Sequence, residues 1–226
     1  MKKNKIIILD NGHGQETPGK RSPDGLFREY SWTRNFVQRL KYELECFGYK
    51  TIILVPEDED ISLSERSSRV NDLCKLYNCI LVSIHNNAAG NGNTWYNATG
   101  WEAYTSHGNT KSDILAELLY EEIEAEGIKT RKDNSDKDSD KEANFTILTK
   151  TKCPAVLTEN MFMDSKNDIE FLNSEVGINK LLKAHVGGLR RYLECPERHR
   201  NDWLKDNIGW DEYWSQKLTI DKCNYK

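Results

Sequence analysis

The chain has 226 residues, a formal net charge of -4, 37% hydrophobic and 30% charged residues. That length suits one domain with a single core, or one domain plus a modest extension, and leaves out two full domains. Charges of both signs are interspersed, so there is no clustered basic face of the kind a nucleic-acid partner needs.

Residues 5–9 are a β-branched apolar run ending in Asp10-Asn11-Gly12, which reads as a buried strand feeding a loop that carries His13. Its apolar stretch, Ile6 to Leu9, is too short for the roughly 7 to 15 apolar residues of a secretory signal, so synthesis in the cytoplasm is expected. From Ser31, Trp32, Phe36, Leu40 and Leu44 recur at helical spacing and Gly48 caps them, predicting a helix over 31–47 with Glu29 just before it. A second strand spans 50–55. Ser62 and Glu65 form a capping-box pattern that opens a helix reaching about Leu76.

Residues 79–84 form a third, continuously apolar strand, with His85 at its C-terminal end, where open α/β sheets place ligands. A loop over 86–99 leads to a strand at 101–105 and a helix at about 110–126, stopped by Gly127. Residues 132–142 are a charged loop. Short strands are expected at 145–148 and 155–158, the latter delivering Glu159, then a helix capped by Ser165 and Asp168 and a last helix over 176–193. Alternating strands and helices predict a single α/β domain with a twisted, mainly parallel sheet covered by helices on both faces. Residues 1–194 are expected to form the catalytic unit. Residues 195–226, with Trp203, Trp210, Tyr213 and Trp214, are too few for a core and read as an extension, more in keeping with a docked helix than a sugar-stacking surface.

No run approaches the roughly 18 apolar residues of a membrane helix. The six cysteines, Cys46, Cys74, Cys79, Cys153, Cys195 and Cys223, contain no CxxC, as expected for reduced thiols. His107, His185 and His199 read as structural or surface residues.

His13 and His85 each follow an apolar strand in a Gly- or Asn-rich context, and Glu159 is an acid inside an apolar stretch, Ala155 to Phe162. A buried acid must be paired or functional. Two imidazoles and a carboxylate are a ligand set for catalytic zinc, and a second carboxylate can then serve as base in amide or ester hydrolysis. Glu29 taken alone carries little signal.

The ordered series Asp10-Asn-Gly-His-Gly14, Glu29 before a helix, Leu63 with Arg66, Val82-Ser-Ile-His-Asn-Asn-Ala88, Gly100-Trp-Glu102 and Pro154 to Phe162 with Asp168 resembles the zinc-dependent N-acetylmuramoyl-L-alanine amidases of the amidase 3 type, found in cell-wall enzymes and phage endolysins. The resemblance runs from about Ile6 to Leu193. It implies that His13, Glu29 and His85 hold zinc and that Glu159 is the base and later the proton donor. Ser83 and Asn87, flanking His85, would support its orientation or contact substrate. The implied substrate is the amide between N-acetylmuramic acid and L-alanine in peptidoglycan. A phage endolysin, let out when the membrane is permeabilised, would reconcile a cell-wall substrate with the missing export signal. Asn11, Gln15, Met161 and Ser165 depart from the family's usual Pro, Gly, Gly and Asn. Two alternatives stand beside this reading: a zinc peptidase cutting within the stem peptide, and a cell-wall binding module without catalysis.

Overall fold

The structure, a computed structural model, describes residues 5–133, 135 and 138–194. The Trp-rich extension, His199, Cys195 and Cys223 lie outside the described residues. The chain runs β1 (Lys5–Asn11), α1 (Glu29–Cys46), β2 (Lys50–Ile53), α2 (Leu63–Leu76), β3 (Asn78–Asn87), β4 (Glu102–Thr105), α3 (Lys111–Ala125), β5 (Lys141–Glu142), α4 (Thr146–Thr149), β6 (Ala155–Phe162), α5 (Lys166–Asn173) and α6 (Glu175–Glu194). The six strands form one sheet in the order β2-β1-β3-β6-β4-β5. Every pairing is parallel except β4 against β6, so the expected mainly parallel α/β sheet is what forms.

Strand alternation sends successive side chains to opposite faces of the sheet. Ile7, Leu9, Ile80, Val82, Ile84 and Val156 point to one face and pack with α1, α3 and α6 in the larger core. Ile6, Ile8, Cys79, Leu81, Ala155 and Leu157 point to the other, where Val70 of α2 and Ile147 and Leu148 of α4 cover them. Further along the same strands, that second face carries Asp10, Ser83, His85 and Glu159. Its cover is only the 14 residues of α2 and the 4 of α4, which leaves a cleft over those polar positions.

Several expectations are corrected. Phe145 to Leu148 is not a strand: Leu148 N and Thr149 N both donate to Phe145 O, making a helical turn that buries the adjacent Ile147 and Leu148 together. A strand would have turned the two side chains to opposite faces. Lys141–Glu142, inside the expected charged loop, instead adds a two-residue strand beside β4. Ser165 makes no side-chain cap, and Asp168 accepts from Thr99 Oγ1 at 2.6 Å and Phe162 N at 2.9 Å, tying the end of β6 to the preceding loop. Strands β3 and β6 run past His85 and Glu159, so both residues lie within strands rather than at their ends. Helix α1 begins at Glu29 itself.

Candidate active site

His13 leaves β1 in a left-handed conformation, φ 61°, between two glycines. A Cβ at Gly12 would lie 2.5 Å from the His85 ring, and one at Gly14 would lie 2.2 Å from the backbone of Asp60, so both positions require glycine. Arg66 fixes the loop from beneath. Its guanidinium donates to Asp10 Oδ1 at 2.6 Å, Asn11 O at 2.7 Å and His13 O at 3.1 Å. Arg34 Nη1 donates to the same His13 carbonyl at 3.1 Å. Asn11, at the position where the family usually has Pro, ties β1 to the chain after β2 through Nδ2 to Val55 O at 3.0 Å.

Glu29 lies at the start of α1 and is fully buried. Its Oε1 accepts from Asn86 N at 3.0 Å, contacts His85 Nδ1 at 3.1 Å and lies 3.5 Å from His13 Nε2. One donor atom from each of His13, Glu29 and His85 lies within 4.8 Å of the other two, an arrangement that can hold a metal ion. The fit goes beyond proximity: Glu29 Oε2 is buried with no hydrogen-bond partner, an acceptor that a cation would satisfy. Burial pushes His13 down to about 4, leaving a neutral imidazole with a lone pair to give. Burial also works against charge on Glu29 and His85, but their hydrogen bond and mutual attraction outweigh it, holding the carboxyl below and the imidazole above their ordinary values. A metal would compete with the proton between them.

Glu159 is paired in register with His85 on one side and Glu102 on the other. Burial pushes its carboxyl up to about 8, a shift that nearby Glu29 adds to and that His85 and Lys20 oppose. Its Oε2 is buried without a partner. The cleft over this row measures ≈ 510 Å³ and is lined by His13, His85 and Glu159, by Lys20, and by an apolar wall including Ile61, Leu63, Phe145 and Leu157.

The four residues singled out for metal binding and acid-base work are thus brought together. Ser83 and Asn87 face other partners: Ser83 Oγ donates to Asp10 Oδ2 at 2.6 Å and Asn87 Nδ2 to Glu102 Oε1 at 2.6 Å. The backbone carbonyl of His85 is held instead by Asn160 Nδ2 at 3.1 Å. Met161, where the family usually has Gly, has φ 63°, a conformation that glycine adopts without strain. Lys20 was not visible as a site residue, since nothing in Pro18-Gly19-Lys20-Arg21 marks it. Glu102 stood in a family motif without a role, and only the antiparallel register reveals its place beside Glu159. His185 is a core histidine, its Nδ1 2.8 Å from Leu181 O, and His107 pairs with Glu142.

Residues 7–191 match a family model described as N-acetylmuramoyl-L-alanine amidase. The chain belongs to this Amidase_3 family. The amidase is 28% identical over 198 residues to an endolysin of Bacillus phage SPP1, covering 86% of this chain and 68% of the relative. It is 32% identical over 188 residues to the N-acetylmuramoyl-L-alanine amidase CwlM of Bacillus licheniformis, covering 82% and 67%. The crystal structure of an N-acetylmuramoyl-L-alanine amidase from Clostridium difficile 630 superposes with a TM-score of 0.74 at 26% identity, covering 85% of this chain and 98% of that one. Membership makes the protein a hydrolase of amide bonds in peptidoglycan. No helix among the described residues is long and apolar enough to cross a membrane.

Proposed function

We propose that the amidase is zinc-dependent and cleaves the amide between the lactyl group of N-acetylmuramic acid and L-alanine, with residues 1–194 as the catalytic unit. His13, Glu29 and His85 would hold the zinc. The observation that carries this is the convergence of their donor atoms, with an unpartnered Glu29 oxygen among them, beside a lone carboxyl on the next strand. Two imidazoles and one carboxylate match a three-ligand catalytic zinc set. Bound there, zinc supplies Lewis acidity, polarising a carbonyl and making water a better acid.

Glu159 performs the proton transfers. Its raised pKa reflects burial, and positive charge gathered at the neighbouring cluster favours its ionised form. As carboxylate it takes one proton from the attacking water as the water oxygen bonds to the carbonyl carbon. It then returns that proton to the alanine nitrogen as the C–N bond breaks, releasing a free α-amine and a muramoyl carboxylic acid, which gives its remaining proton to solvent. Lys20 lines the same cleft, and its positive charge favours the ionised form of Glu159. The apolar wall of Ile61, Leu63 and Phe145 gives the substrate a dry side. A role as an endolysin is supported by the likeness to the phage SPP1 protein.

Digestion of purified peptidoglycan tests the reading. New L-alanine amino termini with intact glycan strands are expected. Cuts confined to later stem-peptide bonds would overturn it.

A further inference from the structure

The polar row at the site does not stop at Glu159. Glu102 is paired directly opposite it across the antiparallel β4/β6 contact, and Trp101 bridges in parallel to Thr130, which brings Arg131 alongside Glu102. His85, Glu159, Glu102 and Arg131 therefore form a row across four neighbouring strand segments.

Arg131 is held in a prepared seat. Its stem crosses Gly100 so closely that a Cβ there would lie 2.9 Å from Arg131 Cγ, and the Gly100 φ of +123° excludes most other residues as well. Its guanidinium lies 5.1 Å from the centre of the Phe162 ring. Its Nε donates to Glu102 Oε2 at 2.9 Å, and Lys141 Nζ donates to the same oxygen at 2.5 Å. Asn87 and Tyr104 hydroxyl hold the other oxygen, at 2.6 and 2.8 Å. Glu102 is buried, with its carboxyl held below its ordinary range because these partners outweigh burial.

One carboxylate thus faces two cations, and a positive charge remains. The Arg131 side chain is 42% exposed, and among the described residues Nη1 and Nη2 have no hydrogen-bond partner. With Nε engaged, the free Nη1–Nη2 edge is the fork that binds a carboxylate through two parallel hydrogen bonds.

Building on the proposed amide cleavage, we infer that Arg131, positioned by Glu102, binds a free carboxylate on the stem peptide of the substrate. Charge complementarity sets the direction, because the stem peptide carries carboxylates whereas the lactyl carboxyl of the sugar is tied up in the scissile amide. Distance sets the position. The Arg131 backbone lies two strand spacings from β6, about 10 Å, but its guanidinium leans back onto Glu102, one spacing of about 4.8 Å from β6, and an extended peptide covers about 3.3–3.6 Å per residue. The carboxylate therefore belongs to the second or third stem residue. Arg131 acts here as a specificity residue and takes no part in the chemical step.

The test uses two synthetic muramoyl tripeptides that differ only in having the second-residue and C-terminal carboxyls free or amidated. For the wild type, KM is expected to be about tenfold lower for the free acid. Arg131→Ala should raise KM on the free acid far more than on the amide, bringing the ratio to about threefold or less, with kcat changing little. Arg131→Lys, which keeps the charge without the fork, should recover part of the preference. An equal fall in kcat/KM on both substrates, or an unchanged ratio, overturns the inference. Calorimetric binding of the same tripeptides without the sugar separates this from the cleavage reading. If the wild type cleaves neither substrate, the cleavage reading fails, yet free-acid binding that Arg131→Ala abolishes still supports the carboxylate site. Absent or Arg131-independent binding overturns it.

Discussion

Glu29 and Glu159 are the same residue type at one site, Glu29 buried behind the histidines and Glu159 lining the cleft, and the fold pushes them in opposite directions. Burial raises both. Around Glu29 the two imidazoles, with Lys20 adding to them, outweigh it, so the carboxyl is held low. Glu159 has a buried, unpartnered oxygen and a second carboxylate nearby, and it is pushed up to about 8. In the proposed mechanism two carboxyls whose pKa values are pushed apart take separate tasks, one as permanent anion and one as proton carrier. On that proposal the β1–α1–β3 side of the site holds charge, and the β6–β4 side moves a proton.

The largest effect expected is on the first side. His85→Ala removes a donor and the partner of Glu29, so metal content should fall and turnover drop to background, read by elemental analysis and peptidoglycan clearing. Retained metal at wild-type level would dissolve the distinction between the two sides. On the second side, Glu159→Gln should lower kcat about 10²- to 10⁴-fold, on general-base precedent, and a variant with wild-type kcat would remove Glu159 from the mechanism.

Arg66→Ala sharpens the comparison through stability. It strips the buried partner from Asp10 and frees the His13 loop, so chemical denaturation should show a loss of about 3–5 kcal/mol. Little change would mean that the loop is held by its glycines and Arg34 alone.

The smallest effect is a pH slope. A carboxyl whose folded pKa is raised stabilises the fold below its unfolded pKa and loses that contribution as pH rises through the folded value. For Glu159 the loss runs from about pH 4.5 to 8. His13, lowered to about 4, works in the opposite sense only up to its unfolded value of about 6.5. Between pH 6.5 and 8 metal-free protein should therefore become less stable, with Glu159 contributing at most about 1.4 kcal/mol per pH unit. The slope should shrink in Glu159→Gln. An identical slope in that variant would place the titration elsewhere, with Asp140, which burial raises to about 7, and His85 first, since both raised pKa values act in the same sense.

Much of this was legible in the sequence, for a physical reason. Strands β1, β3 and β6 each open on an apolar run, Ile6–Leu9, Cys79–Val82 and Ala155–Leu157, so Asp10, His85 and Glu159 just beyond those runs stood out. Glu29 did not, because an acid at the start of a helix looks like any surface glutamate, and only the family pattern singled it out. Phe145 to Leu148 misled because its β-forming composition hides a turn that buries two consecutive residues against α2 and the sheet. Lys141, Arg131 and Glu102 look like ordinary charges along the chain, and their joint arrangement depends on parallel pairings of β4 with β5 and with the Thr130 segment, while the antiparallel β4/β6 register sets Glu102 beside Glu159; local sequence encodes neither.

The division of labour is tested most directly by the zinc content of purified Glu159→Gln protein that has lost muramoyl-L-alanine hydrolysis. About one zinc per chain, as in the wild type, is the predicted result. A zinc-free Glu159→Gln protein would contradict the account, since it would make Glu159 part of the metal site rather than the residue that moves the proton.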